Sequence, residues 1–369
     1  MKLDGGIFLL DFASCFLLAF IVFINPRKDN ILANKWLAFF LFTFGIILLD
    51  CPITELGIFE SNHYLICFTF PFNYIIAPAL FLSIDSFVTI GKKFNFIDLF
   101  HFTPALFFSI YLVYLNNTIS SLDAVCNKSQ IILSFTFLQV VIYLIISLKK
   151  LVVHQKNIKL FSSNLEPINL QWLLNINYGG FFMMLIWINE YFDIIHVSYT
   201  FNAIFFLISI YCIAFSIVSQ VSIFTQKPQE IEDLKLVLIE NTIDVNSKKQ
   251  LLTDDELIVQ KNKLIELMLL QKPYLDASLS LPKLAEMMQM RSHELSYLIN
   301  EGFNETFFAF VNRYRVDKSK ELLVSENFTH LNMLGIAFES GFNSKTVFNT
   351  TFKKITNKTP NEYKQLQVL

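Results

Sequence analysis

Seven side chains towards the C-terminus could read a polar surface: His293, Ser296 and Tyr297 in HELSYLINEGF, and Lys345, Thr346, Asn349 and Thr350 in KTVFNTTFKK. In each segment they fall away from an apolar stripe. The stripe is Leu295, Leu298 and Ile299 in the first segment, and Phe348 and Phe352 at i and i+4 in the second. Their imidazole, hydroxyl, amide and ammonium groups have the donor and acceptor types, and the reach, needed at base edges in a major groove. Arg291, Arg313, Arg315, Lys353, Lys354 and Lys358 lie close by in sequence. Cations there would neutralise phosphates, which adds affinity without sequence information.

Side chains can read a groove only if rigid helices hold them. Residues 274–369 repeat one arrangement twice: a short apolar-faced helix, a tight turn and a polar helix. In the first copy Ser280 is expected to cap LPKLAEMMQ, with Pro282 tolerated in the opening turn. In the second, NMLGIAFES leads to Gly341, expected to take the left-handed conformation that a tight turn demands, and Ser344 caps the next helix. These are two helix-turn-helix units joined by the helix NRYRVDKSKELL over 312–323. Such a joining helix can hold two reading helices about one DNA turn, roughly 34 Å, apart.

The motifs LPKLAEMM, YRVDKSKELL and GF-x-S-x-x-x-F-x-x-x-FKK ending in TPNEY make residues 274–369 resemble the DNA-binding domain of AraC/XylS-type transcription regulators. The resemblance implies that the seven polar positions named above match those the family uses for base contact. It also implies double-stranded promoter DNA and RNA polymerase as partners. This chain departs from the pattern in three places: Asn304 and Asn357 stand where the family usually has Gly, and Arg291 where a small capping residue is usual. Asparagine accepts positive φ next most readily after glycine, so both turns are expected to survive.

The rest of the chain has a different character. Of its 369 residues 54% are hydrophobic and only 16% charged, with a mean hydropathy of +0.48, against about 25% charged in an ordinary soluble protein. Seven apolar stretches reach towards the roughly 20 residues needed to cross hydrocarbon: 7–24, 31–49, 64–88, 99–115, 131–148, 173–195 and 201–224. Arg27, Lys28, Lys35, Lys92, Lys93, Lys149, Lys150, Lys156 and Lys159 follow the odd-numbered stretches, and Lys2 and Lys128 lie on the other side. The excess puts the N-terminus outside and everything after the seventh stretch in the cytoplasm. Pro71 and Pro78 are expected to kink the third stretch. The layout is similar to membrane-anchored AraC-type regulators, which implies a multi-pass protein of the bacterial inner (cytoplasmic) membrane, with the lipid bilayer as a further partner.

The fold expected is therefore all-α: a seven-helix transmembrane bundle over 1–224, a cytoplasmic helical linker over 225–272, and the two helix-turn-helix units over 273–369. Acidic residues within or beside the spans, Asp11, Asp50, Glu190 and Asp193, fall towards the outer face with Asn189. Two readings are open: an outward pocket for an unknown cationic or hydroxyl-bearing signal ligand, or helix-end residues at headgroup level. The linker helix TDDELIVQKNKLIELMLLQK opens with a capping box at Thr253 and Glu256. Its apolar face, with Leu257, Leu264, Leu267 and Met268, can pair with a second copy in a homodimer or fold back onto the following domain. Five cysteines without metal spacing, no HExxH, no GxSxG and no phosphate loop leave enzyme chemistry and cofactors without a footing. Three functional readings follow: a one-component sensor coupling a signal to promoter binding, a transporter or membrane enzyme with a regulatory tail, and an anchor from which proteolysis releases the DNA-binding part.

Overall fold

The computed structural model describes residues 3–24, 30–58, 64–89, 91–118, 122–165, 168–192, 199–218, 251–325, 328 and 330–367. Their regular structure is helical throughout; one antiparallel bridge, Ser162 to Ser280, is the only sheet-type pairing among them. The chain divides into two units whose membership does not follow chain order. One holds residues 1–153 and 170–223, the other 154–169 and 224–369.

The first unit contains α1 (Leu3–Ile24), α2 (Ile31–Leu48), α3 (Asp50–Glu55), α4 (Tyr64–Thr69), α5 (Phe72–Val88), α6 (Thr103–Thr118), the body of α7 (Leu122–Asn157), α8 (Gln171–Phe192) and α9 (Tyr199–Val218). Helix α2 packs between α1 and α5, and α1 also packs on α9. Gly45 lets α1 and α2 approach closely, since a Cβ there would lie 3.1 Å from that of Cys15. Five stretches are long and apolar enough to cross a membrane: Gly5–Ile24, Ile31–Thr54, Phe96–Thr118, Ser134–Leu160 and Thr200–Ile217.

Seven were expected, and the two that fail do so for different reasons. The third expected span is broken into α4 and α5, with Pro71 at the N-cap of α5, so the longer piece has 17 residues, short of the roughly 20 that hydrocarbon requires. Pro78 does sit inside α5. The sixth, α8, has 22 residues but contains Gln171, Asn175, Asn177, Asn189 and Glu190, and it does not meet the apolarity of the other five. In the last turn of α5, Asp85 is ion-paired with both Lys92 and Lys150, and Lys92 also reaches Asp98 at 3.4 Å.

In the second unit α10 (Asp254–Leu270) starts from the expected capping box. The Thr253 N–H donates to the Glu256 carboxylate at 2.9 Å, and the Thr253 hydroxyl oxygen accepts from the Glu256 N–H at 3.4 Å. Of the two arrangements open to this helix, the fold takes the second. Leu264, Leu267 and Met268 are buried and α10 packs on α12 (Ser292–Phe303). A short 3-10 turn, Pro273–Leu275, leads to α11 (Leu281–Met288) and then α12; α13 (Phe307–Val324) joins these to α14 (Met333–Glu339), α15 (Lys345–Thr356) and α16 (Pro360–Gln367).

Burial of aromatic rings fixes the second helix-turn-helix. Phe342, Phe348 and Phe352 pack with Val316, Leu322, Leu323, Ile336 and Ala337 in one core cluster. Phe348 lies 5.3 Å from Phe342 and 5.6 Å from Phe352 between ring centroids, within the range of favourable aromatic pairs.

Candidate nucleic-acid interface

Helix α15 presents the polar face that its sequence implies. Ser344 sits at the N-cap and its hydroxyl oxygen accepts from the Val347 N–H at 3.2 Å. Phe348 and Phe352 turn one side into the core, which leaves Lys345, Thr346 and Thr350 exposed and Asn349 half-buried. The Thr350 hydroxyl donates to the Thr346 carbonyl at 2.8 Å, so what it has left to offer is acceptor capacity. Lys353, Lys354 and Lys358 are exposed at the far end. Gly341 places this helix: its φ is +87°, and a Cβ there would lie 2.2 Å from the Tyr274 carbonyl oxygen. No residue with a Cβ fits that approach.

The first helix-turn-helix is built alike but is less open. Helix α12 begins after Arg291, whose N–H donates to the Glu294 carboxylate at 3.0 Å; this is the reciprocal half of a capping box, while the arginine side chain has no acceptor for the opening N–H groups. Arg291 is exposed and Tyr297 half-buried, but His293 is only 9% exposed and Ser296 only 5%. Two of the three expected reading residues on α12 are therefore covered. The turn before α12 also differs from Gly341: Gln289 takes the left-handed conformation, with φ 57°. Aligning the two copies by their helices, with Gly341 as the guide, is the signal that could have located it. Ser280 stands at the N-cap of α11 without a side-chain hydrogen bond to the helix. Asn304 and Asn357, at φ 53° and 59°, take the left-handed turns expected of them.

The two arginines of α13 do not stand free for phosphate. Arg313 holds Glu305 through Nε and Nη2 at 3.1–3.3 Å and lies 4.9 Å from the Tyr314 ring centroid, so it is half committed. Arg315, expected at phosphate, is 1% exposed. Its Nε donates to the Tyr274 carbonyl at 2.8 Å and its Nη2 to the Asp276 carbonyl at 2.9 Å. Further bonds run to the Asn312 side-chain oxygen at 3.3 Å and to Ser163. Burial pushes its guanidinium down to about 10, against a smaller opposite pull from Asp276. A buried cation needs partners for its five donors, and the chain's own carbonyls and the Ser163 hydroxyl take them; Arg315 is a structural bolt.

The acidic residues of the first unit do not form a described pocket. Asp11, on α1, is fully buried with neither carboxylate oxygen hydrogen-bonded, and Asp50 opens α3 with Oδ1 unbonded. Asn189 is half-buried on α8. The Glu190 side chain and Asp193 lie outside the described residues.

A protein-family model described as a helix-turn-helix domain matches residues 284–366. These residues form an AraC-type helix-turn-helix domain, which supports a DNA-binding transcription regulator. No curated protein and no solved structure matches the chain.

Proposed function

We propose that this chain is a sequence-specific transcription regulator held at a bacterial cytoplasmic membrane, with its DNA-binding domain on the cytoplasmic side, and that it acts by binding and not by catalysis. The observation that carries the reading is α15: Lys345, Thr346, Asn349 and Thr350 on one accessible face, and Lys353, Lys354 and Lys358 beside it. The first set matches base-edge chemistry and the second phosphate chemistry. Five apolar stretches of spanning length support the membrane placement; the cytoplasmic side of the DNA-binding domain rests on the Lys and Arg excess, which requires α4–α5 and α8 to cross as well. A signal received by the helices would then reach promoters that diffuse to the bilayer, with RNA polymerase as the downstream partner.

The full chain in lipid nanodiscs tests this. Selection from random duplexes should return a defined site. Asn349→Ala should relax preference at one base pair by about 1–3 kcal/mol. Lys353→Ala should weaken all sequences alike and lower the salt slope by about 0.9. Equal loss of preference from both substitutions, or no selected site, would sink the reading. A reporter fused after Thr225 should be active in the cytoplasm; activity only on the outer side would sink the placement.

A further inference from the structure

Residues 158–164 follow the end of α7 and belong to the same unit as the helix-turn-helix domain. Ile158, Phe161 and Ser163 are all buried. The Phe161 carbonyl accepts the Leu281 N–H at 2.9 Å, one of the opening donors of α11 that its own helix cannot satisfy. Ser162 bridges antiparallel to Ser280. The Ser163 hydroxyl donates to the Leu279 carbonyl at 2.6 Å and accepts from Arg315 Nη2 at 3.0 Å, while the Ser163 carbonyl accepts from Arg315 Nη1 at 3.2 Å. Strand-like addition of this kind obtains affinity from backbone pairing and selectivity from the side chains that fill alternate pockets.

The two anchors of this segment explain why it matters. Leu281 opens the first helix-turn-helix, and Arg315 lies in the helix that joins the first to the second. One short loop therefore grips both elements that set the spacing of the reading helices. In sequence the same loop connects α7 to α8, two helices of the apolar half. We propose that residues 158–164 are the docking segment through which the helical half acts on the DNA-binding domain. When seated, the segment fixes α11 against α13. When withdrawn, it leaves the Leu281 N–H without its acceptor and Arg315 short of two, and the spacing of α12 and α15 is no longer held. The contact stands by itself, but its effect on DNA rests on the function proposed above.

The test uses the full chain in nanodiscs with its native cysteines replaced. Ser162→Cys with Ser280→Cys should form a disulfide on mild oxidation, seen as a product that stays joined after cleavage at a protease site inserted between residues 225 and 250; Ser162→Cys with Lys354→Cys should not. Ser163→Tyr cannot seat in so buried a position. It should abolish that disulfide and change affinity for the selected DNA site by at least about fivefold, the lower end of ordinary coupling between sites, whereas the disulfide-latched protein keeps the wild-type affinity. If Ser163→Tyr fails to fold, judged by loss of amide protection in α15, Phe161→Ala serves for the same comparison. Failure of the disulfide, or unseating with unchanged affinity, overturns the proposal. Absence of any specific DNA binding, latched or not, overturns the DNA-binding reading as well, and the disulfide yield still shows separately whether the loop docks.

Discussion

Replacing Arg315 by Met separates a structural arginine from a phosphate contact, because the two roles predict opposite results. The substitution keeps most of the side-chain volume and removes every donor. It leaves the carbonyls of Tyr274, Asp276 and Ser163 buried without this partner, at about 1–3 kcal/mol each. Part of that loss is returned: a guanidinium pushed down to about 10 corresponds to roughly 3 kcal/mol of disfavoured charge that no longer has to be buried. The net is a loss of about 3 kcal/mol, in line with the cost of removing one partner from a buried charged network. Measured by amide hydrogen exchange on the full chain in nanodiscs, that is about a hundredfold fall in protection for peptides covering 273–281 and 312–323, the segments that Arg315 ties together. The salt slope of DNA binding should be unchanged. Protection within a few-fold of wild type together with a slope lower by about 0.9 would refute the argument and restore Arg315 to the phosphate backbone.

Gly341→Ala should be among the most damaging single-methyl changes in the domain. It adds a left-handed penalty of about 1–2 kcal/mol to a Cβ that would lie 2.2 Å from the Tyr274 carbonyl oxygen, and protection in α15 should fall by at least tenfold. Gln289→Gly should instead raise protection in α11, by up to about 1 kcal/mol, and by more than Asn304→Gly or Asn357→Gly raise it in their own helices; equal gains would show that Gln289 is not strained. Hydrogen bonds from the backbone N–H of Thr253 and of Thr359 are the main cause holding the Glu256 and Glu362 carboxylates below their usual range. Their cap contributions should be complete above the ordinary carboxylate range and should vanish as pH falls through the lowered values, which a carboxylate NMR titration would follow; titration at or above the ordinary value would count against the caps.

What could be read from sequence depended on how local each determinant is. Phe348 and Phe352 at i and i+4, Gly341 at a turn, Asn304 and Asn357 in place of glycine, and the Thr253–Glu256 box are all decided within a few residues, and each is found where the pattern puts it. Arg315 could not be read this way, because its acceptors include Ser163, 152 positions earlier. An arginine on a polar helix next to Arg313 carries no local mark of burial. His293 and Ser296 lie on the polar side of α12, yet tertiary packing covers them. The span count failed at Pro71 and at the amides of α8, where hydropathy averaged over a long window conceals a break or a polar stripe.

The seat of residues 158–164 has a further use. It is occupied by only seven residues, IKLFSSN, whose contacts are made mainly by one aromatic ring, one hydroxyl and two carbonyls. A site so compact can be contested by something much smaller than a domain. A free peptide of that sequence, or a rigid mimic of it, would be a competitor whose template the chain itself carries, and under the docking proposal it offers a way to separate the helical half from the DNA-binding domain with a small molecule while leaving the apolar helices and the polar face of α15 untouched.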